Sequence, residues 1–279
     1  MSTRSSRSRP ASLGALALGL LAGCLLGISA ASAAPLRGRA GGRGDGTRGA
    51  GARPIPHRSR SIGLPFDGAL RRGVLLRESE HLRYTGEYAA AGHFYGTWEL
   101  VQLLERAAYR VHRRLPGARL SIGELSAERG GAIPGHASHR SGRDADLAFY
   151  MLDARDRPYS PFAFAAFDAQ GRGTGPNTSL RFDDARNWEL VQKLVADGDA
   201  RVQFLFVAAH LERRLLREGR RRGASSVLLQ RAETVMMQPR GNHPHANHFH
   251  LRIYCGPGDR PACRDRAPFH PWYPGRAPC

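Results

Sequence analysis

Six of the twelve histidines fall in two short windows of this chain, each leading into an alternating apolar run. The first window reads Gly135-His136-Ala-Ser-His139-Arg140-Ser-Gly-Arg143-Asp144-Ala-Asp146. The second reads Asn242-His243-Pro-His245-Ala-Asn-His248-Phe-His250-Leu-Arg252-Ile-Tyr254. In a β-strand successive side chains point to opposite faces, so residues two apart share one face. His248, His250, Arg252 and Tyr254 therefore line one side of a strand over 247–254, while Phe249, Leu251 and Ile253 pack beneath it. The run 144–150 alternates in the same way, with Ala145, Leu147 and Phe149 on the apolar face and Asp146 on the other. Two strands that each bury one face and carry histidine or aspartate on the other constrain the fold more than any other feature.

The remaining pattern surrounds those strands with helices. Thr97 caps a helix running to about 115, with Leu100, Val101, Leu104, Ala107, Ala108 and Val111 at helical spacing, and Pro116-Gly117 ends it. A short strand is expected at 120–125, a Gly/Ser/His-rich loop at 126–144, and a helix near 186–197. A strand at 202–207 and helices at 209–220 and 225–237 follow. Strands and helices interleave without a regular βαβ repeat, which predicts an α+β fold with a central, mainly antiparallel sheet, flanking helices and the site on the sheet.

The N-terminus has the pattern of an export signal. Arg4, Arg7 and Arg9 precede an apolar run over 11–31, and Ala31-Ser32-Ala33 offers a cleavage site, giving a signal peptide over 1–33. Leu21-Ala22-Gly23-Cys24 is the competing lipoprotein box, which would tether the chain to a membrane through Cys24. Residues 34–63 hold seven arginines and little to bury, and are expected to be a disordered linker, leaving 64–279 as the folded domain. The net charge is +18, of which +9 stays on 64–279. Export argues against an intracellular nucleic-acid partner and places the domain in the periplasm. Cys255 and Cys263 can close a short loop rich in Gly and Pro, while spacing alone leaves the pairing of Cys279 open. Nothing in the sequence sets an oligomeric state.

Several chemistries are excluded. Lys193 is the only lysine and Leu190 stands three residues before it, so no Ser-x-x-Lys exists. Gly-x-Ser-x-Gly, a phosphate-binding Gly-Lys-Ser/Thr and His-Glu-x-x-His are also absent. What remains is a nitrogen and oxygen donor set: His139 and Asp146 six residues apart, with His248 and His250 on one strand face. Three protein ligands and an open position make the pattern of a catalytic zinc. Arg140, Arg143 and Arg252 flank it and are candidates for holding a substrate carboxylate. His57, His81, His93, His112, His210 and His270 are read as ordinary surface or core histidines.

The run GELSAERGGAIPGHASHRSGRDADLAFY, with HANHFHLRIYC downstream, resembles the penicillin-insensitive murein endopeptidases. These belong with lysostaphin, the zinc D-alanyl-D-alanine carboxypeptidases and the Hedgehog domain. The resemblance implies hydrolysis of the D-alanyl–meso-diaminopimelyl cross-link of peptidoglycan by zinc-activated water, with stem peptides as the partner. It implies His139, Asp146 and His250 as zinc ligands, with His136 completing the set or at hydrogen-bonding distance from it, His248 as general base or transition-state stabiliser, and His245 as an outer or oxyanion partner. Ala246 and Glu124 depart from the family pattern, where acidic residues and Asp respectively are expected. A zinc carboxypeptidase and a non-catalytic murein-binding module are the alternatives.

Overall fold

The computed structural model describes residues 59–239 and 244–273. A hairpin of β1 (Arg60–Leu64) and β2 (Asp67–Arg71) comes first, then β3 (Val74–Leu75), β4 (Leu82–Tyr84), the single turn α1 (Gly86–Ala89) and β5 (Tyr95–Gly96). The long helix α2 (Trp98–Arg114) leads to β6 (Leu120–Ile122) and β7 (Asp144–Ala148). Three short strands, β8 (Met151–Leu152), β9 (Pro158–Tyr159) and β10 (Arg181–Phe182), form a side sheet. Helix α3 (Asp184–Ala196), β11 (Val202–Phe206), α4 (Ala209–Arg221), α5 (Ser226–Val235), β12 (Met236–Met237) and β13 (His248–Ile253) complete the order.

The main sheet has six strands in the order β12-β11-β13-β7-β6-β4. Its centre, from β11 through β13 and β7 to β6, is antiparallel, and β12 and β4 join the two edges in parallel. The fold is therefore α+β with a mixed sheet that is antiparallel where the site lies. Phe249, Leu251, Ile253, Ala145 and Leu147 are fully buried on one face, in one core with the apolar stripes of α2 and α3. The alternation read from sequence thus sorts these strands correctly.

Local sequence sets the helix ends. Thr97 accepts a hydrogen bond from the Leu100 amide, which satisfies an orphan donor of the first turn, and Glu99 opposes the positive end of the helix dipole. Asp183 does the same for α3 by accepting from the Arg186 amide. Gly219 lets α4 approach α3 closely: a Cβ there would meet the buried Trp188 ring at 2.5 Å. Among the described residues no helix is long and apolar enough to cross a membrane.

The folded region begins earlier than composition suggests. β1 starts at Arg60, inside the stretch expected to be linker, and pairs residue for residue with β2. Ser61 is buried and its amide donates to Asp259, while Gly63 and Arg264 bond through their backbones. Partners nearly two hundred residues away are invisible to a local composition count. The signal sequence, Cys24, His57, His243 and Cys279 lie outside the described residues.

Candidate metal centre

The register of β13 on β7 builds the floor of the site. His250 pairs opposite Asp146, Arg252 opposite Asp144, and His248 opposite Ala148, so all five polar side chains share the face away from the core. His139 enters from the loop before β7 with φ +65, a left-handed conformation uncommon for a residue with a side chain. Ser126 holds that turn, its hydroxyl donating to the His139 carbonyl and accepting from the Gly142 amide. His136 comes from the same loop, just after Gly135 at φ +78.

Each of three histidines has one nitrogen engaged outward and the other turned inward. His139 Nδ1 lies 2.6 Å from the Leu125 carbonyl, which can only accept, so this nitrogen carries the proton. His136 Nε2 is 2.7 Å from a Glu124 oxygen, and His250 Nε2 is 3.0 Å from Asp144 Oδ1. The inward atoms are then His139 Nε2, His136 Nδ1 and His250 Nδ1. They lie 3.4, 3.5 and 3.0 Å from the carboxylate of Asp146, and His139 Nε2 is 3.4 Å from His250 Nδ1. Ligand atoms of His136, His139 and Asp146 all fall within 4.8 Å of one another.

These donors converge as those of a cation site would. Lone pairs of neutral imidazoles facing a buried carboxylate repel it, and Asp146 Oδ1 has no hydrogen-bond donor among the described residues. Burial opposes ionisation of Asp146, yet His139, His248 and His250 hold its carboxyl well below the usual range. His250 goes the other way: burial lowers its affinity for a proton, but Asp146 and Asp144 outweigh this and raise it. Nitrogen and oxygen donors with outer carboxylate and carbonyl partners suit a borderline divalent ion such as Zn²⁺.

His248 stands apart from this set. Its Nδ1 is tied to Asn247 Oδ1 at 2.8 Å, its ring stacks on Phe164 at 4.7 Å, and its Nε2 faces Asp146 at 3.6 Å. Burial pushes its pKa down to about 4, against the pull of Asp146, so the ring is neutral at neutral pH. The His245 ring sits 5.0 Å from His248 and 5.8 Å from His250, on a residue at φ +49. Tyr88 lies beyond Phe164, ring to ring at 5.3 Å, and sequence reasoning passed it over. Burial and the carboxylates of Glu87, Asp146 and Glu124 raise its phenol to about 12, which keeps it a hydrogen-bond donor.

Other expectations change. Arg143 is fully buried and bonds Ser61, Asp265 and the carbonyls of Ile253 and Arg264, so it ties strands together and cannot greet a substrate. Arg252 gives its Nε to Asp144 at 2.6 Å. Arg140 Nε is buried with no hydrogen-bond partner among the described residues. His93, read as an ordinary residue, instead binds Glu124. His81, His210 and His270 do bond Glu105, the Phe167 carbonyl and the Gln203 carbonyl, as structural histidines would. Cys255 and Cys263 are joined in a disulfide beyond the end of β13.

An α+β domain thus brings histidines and an aspartate together on the open face of its sheet, in a group that could hold a metal ion. The comparisons with known proteins narrow this further. The chain belongs to the penicillin-insensitive murein endopeptidase family, whose model matches residues 61–272. Curated relatives carry that name. One from Haemophilus influenzae is 29% identical over 183 residues, covering 63% of this chain and 56% of its own length. One from Klebsiella pneumoniae is 27% identical over 224 residues, covering 78% of this chain and 74% of its own. The chain thus spans little more than half the length of the Haemophilus protein.

Proposed function

We propose that this chain is an exported zinc endopeptidase that cuts the D-alanyl–meso-diaminopimelyl cross-link of murein. The observation that carries this reading is the set of three histidines whose outer nitrogens are bonded and whose inner nitrogens face the Asp146 carboxylate. His136, His139, Asp146 and His250 would hold the ion. A bound Zn²⁺ supplies Lewis acidity toward the scissile carbonyl and lowers the pKa of a water molecule to about 7.

The chain's own residues do the rest. His248 accepts a proton at Nε2, because Asn247 fixes its other nitrogen as the N–H, and it can return that proton to the leaving amine. Phe164 holds the ring at a fixed tilt and removes water from one face. His245, beside both strand histidines, is placed to donate to charge developing on the carbonyl oxygen. No side chain is acylated in this scheme, so β-lactams have no serine to trap. The domain over 64–279, extended to Arg60 by β1, follows a signal peptide at 1–33 and an Arg/Gly linker. Their positive charge favours the carboxylate-bearing stem peptides of the periplasmic wall.

The test is digestion of a cross-linked muropeptide dimer by the purified protein, with His248→Ala as control. Monomer release that needs both zinc and His248 supports the reading. Release of D-alanine alone, or binding to murein without cleavage, overturns it in favour of a carboxypeptidase or a binding module.

A further inference from the structure

His136 has the weakest backbone support of the inward-facing histidines. His250 is fixed by β13 and Asp144, and His139 by its buried ring and the Leu125 carbonyl. His136 sits in a loop, with its amide only 3.4 Å from the Ile133 carbonyl. Something else has to aim its ring.

Glu124 is in position to do so. Its backbone is locked to β7: the Asp146 amide donates to the Glu124 carbonyl at 2.9 Å, and the Gly123 amide to the Asp146 carbonyl at 2.8 Å. From that anchor the buried carboxylate accepts from His136 Nε2 through one oxygen and from His93 Nδ1 through the other, both at 2.7 Å. His93 is itself anchored, since its carbonyl accepts from the Leu125 amide at 2.7 Å. A glutamate side chain has three rotatable bonds and would wander with one partner; a second donor on the opposite oxygen leaves a single rotamer that satisfies both.

We propose that Glu124 and His93 are positioning residues that clamp His136 as its Nε2–H tautomer, turn Nδ1 to the site, and so set the affinity for the metal. This rests on the metal-peptidase reading above. The clamp is a carboxylate for a specific reason. It accepts only, so two imidazole N–H groups can share it. An amide of the same shape accepts on one side and donates on the other, and forces one ring to give up its proton.

The experiment compares the full chain with Glu124→Ala, Glu124→Gln, His93→Phe and His93→Gln. Nitrogen-15 NMR of the histidines in chelator-treated protein reads the tautomers. Competition of Co²⁺ with a chelator, and the visible cobalt spectrum, read the metal site. Glu124→Ala is expected to weaken Co²⁺ binding about 10- to 100-fold, the usual effect of removing an outer partner of a ligand histidine. His93→Phe should weaken it less and alter the spectrum, and His93→Gln, which still donates to Glu124, should restore both. In Glu124→Gln either His93 or His136 should switch tautomer even without metal. Unchanged tautomers in Glu124→Gln, or wild-type Co²⁺ affinity in Glu124→Ala, would overturn the clamp. Wild-type protein that binds no Co²⁺ would sink the metal reading instead, while the metal-free tautomers still judge the clamp.

Discussion

Asp144→Ala should be among the most damaging substitutions near the site, although Asp144 faces no substrate in this account. Its carboxylate is fully buried, and a single oxygen, Oδ1, accepts from both His250 Nε2 at 3.0 Å and Arg252 Nε at 2.6 Å. Hydrogen bonds to a charged partner contribute about 1.5–3 kcal/mol each. Removing one member of a buried ion pair costs about 3–5 kcal/mol, because the other charge is left uncompensated. Arg252 is 13% exposed, so solvent recovers little of this. Both routes point to a loss of about 4 kcal/mol. Asp144→Asn is the informative control. Its carbonyl can take the place of Oδ1 and keep both donors, but its amide nitrogen would replace Oδ2, which has no partner among the described residues. That variant keeps both acceptor contacts but also leaves Arg252 without its buried counter-charge, so it should lose about 3 kcal/mol, the low end of the ion-pair range. Urea unfolding of chelator-treated protein at pH 7 measures both. A loss under about 1 kcal/mol for the alanine variant, or equal losses for the two, would refute the reasoning.

His248→Ala should keep the metal and lose about 10²–10⁴-fold in turnover, the contribution of a positioned general base, whereas His250→Ala should lose both; metal analysis beside a muropeptide assay separates them. Replacing Cys255 and Cys263 by serine opens a loop with sequence separation 8 and should cost about 2–3 kcal/mol on the loop-entropy scale, read as a lower unfolding midpoint. His270 is buried, stacks on Trp272 and bonds the Gln203 carbonyl. Burial lowers its pKa against that carbonyl's pull, so the unfolded chain takes up the proton first. Its contribution should be intact above pH about 6.5 and fall as the pH drops below that value. His270→Gln should flatten this part of the stability profile, and an unchanged profile would count against the assignment.

Much of the site can be read from alternation. One strand pattern separates Phe249, Leu251 and Ile253 from His248, His250 and Arg252, and pairing with β7 sets Asp146 opposite His250. Helix α2 is legible for a similar reason, because its cap and apolar stripe are local. What escaped depends on distant partners. Arg143 looks like a substrate-binding arginine until Asp265 and Ser61 arrive from opposite ends of the domain. His93 looks ordinary until Glu124, 31 residues on, accepts its hydrogen bond. Asp144 does have a local signal, the Asp-x-Asp alternation that puts it on the same face as Asp146, but its role needs β13 alongside. The short strands β3, β5, β8, β9 and β10 run only two residues each and carry no period to detect.

The central claim is that a metal held by His136, His139, Asp146 and His250 drives cleavage between murein stem peptides. The most direct measurement incubates a D-alanyl–diaminopimelyl cross-linked muropeptide dimer with the protein, then weighs the products by mass spectrometry. Parallel reactions contain saturating penicillin, a chelator, or a chelator followed by excess zinc. The account predicts monomers in the untreated, penicillin and zinc-restored reactions, and intact dimer with chelator alone. Monomers formed in the presence of chelator, or cleavage blocked by penicillin, would contradict it.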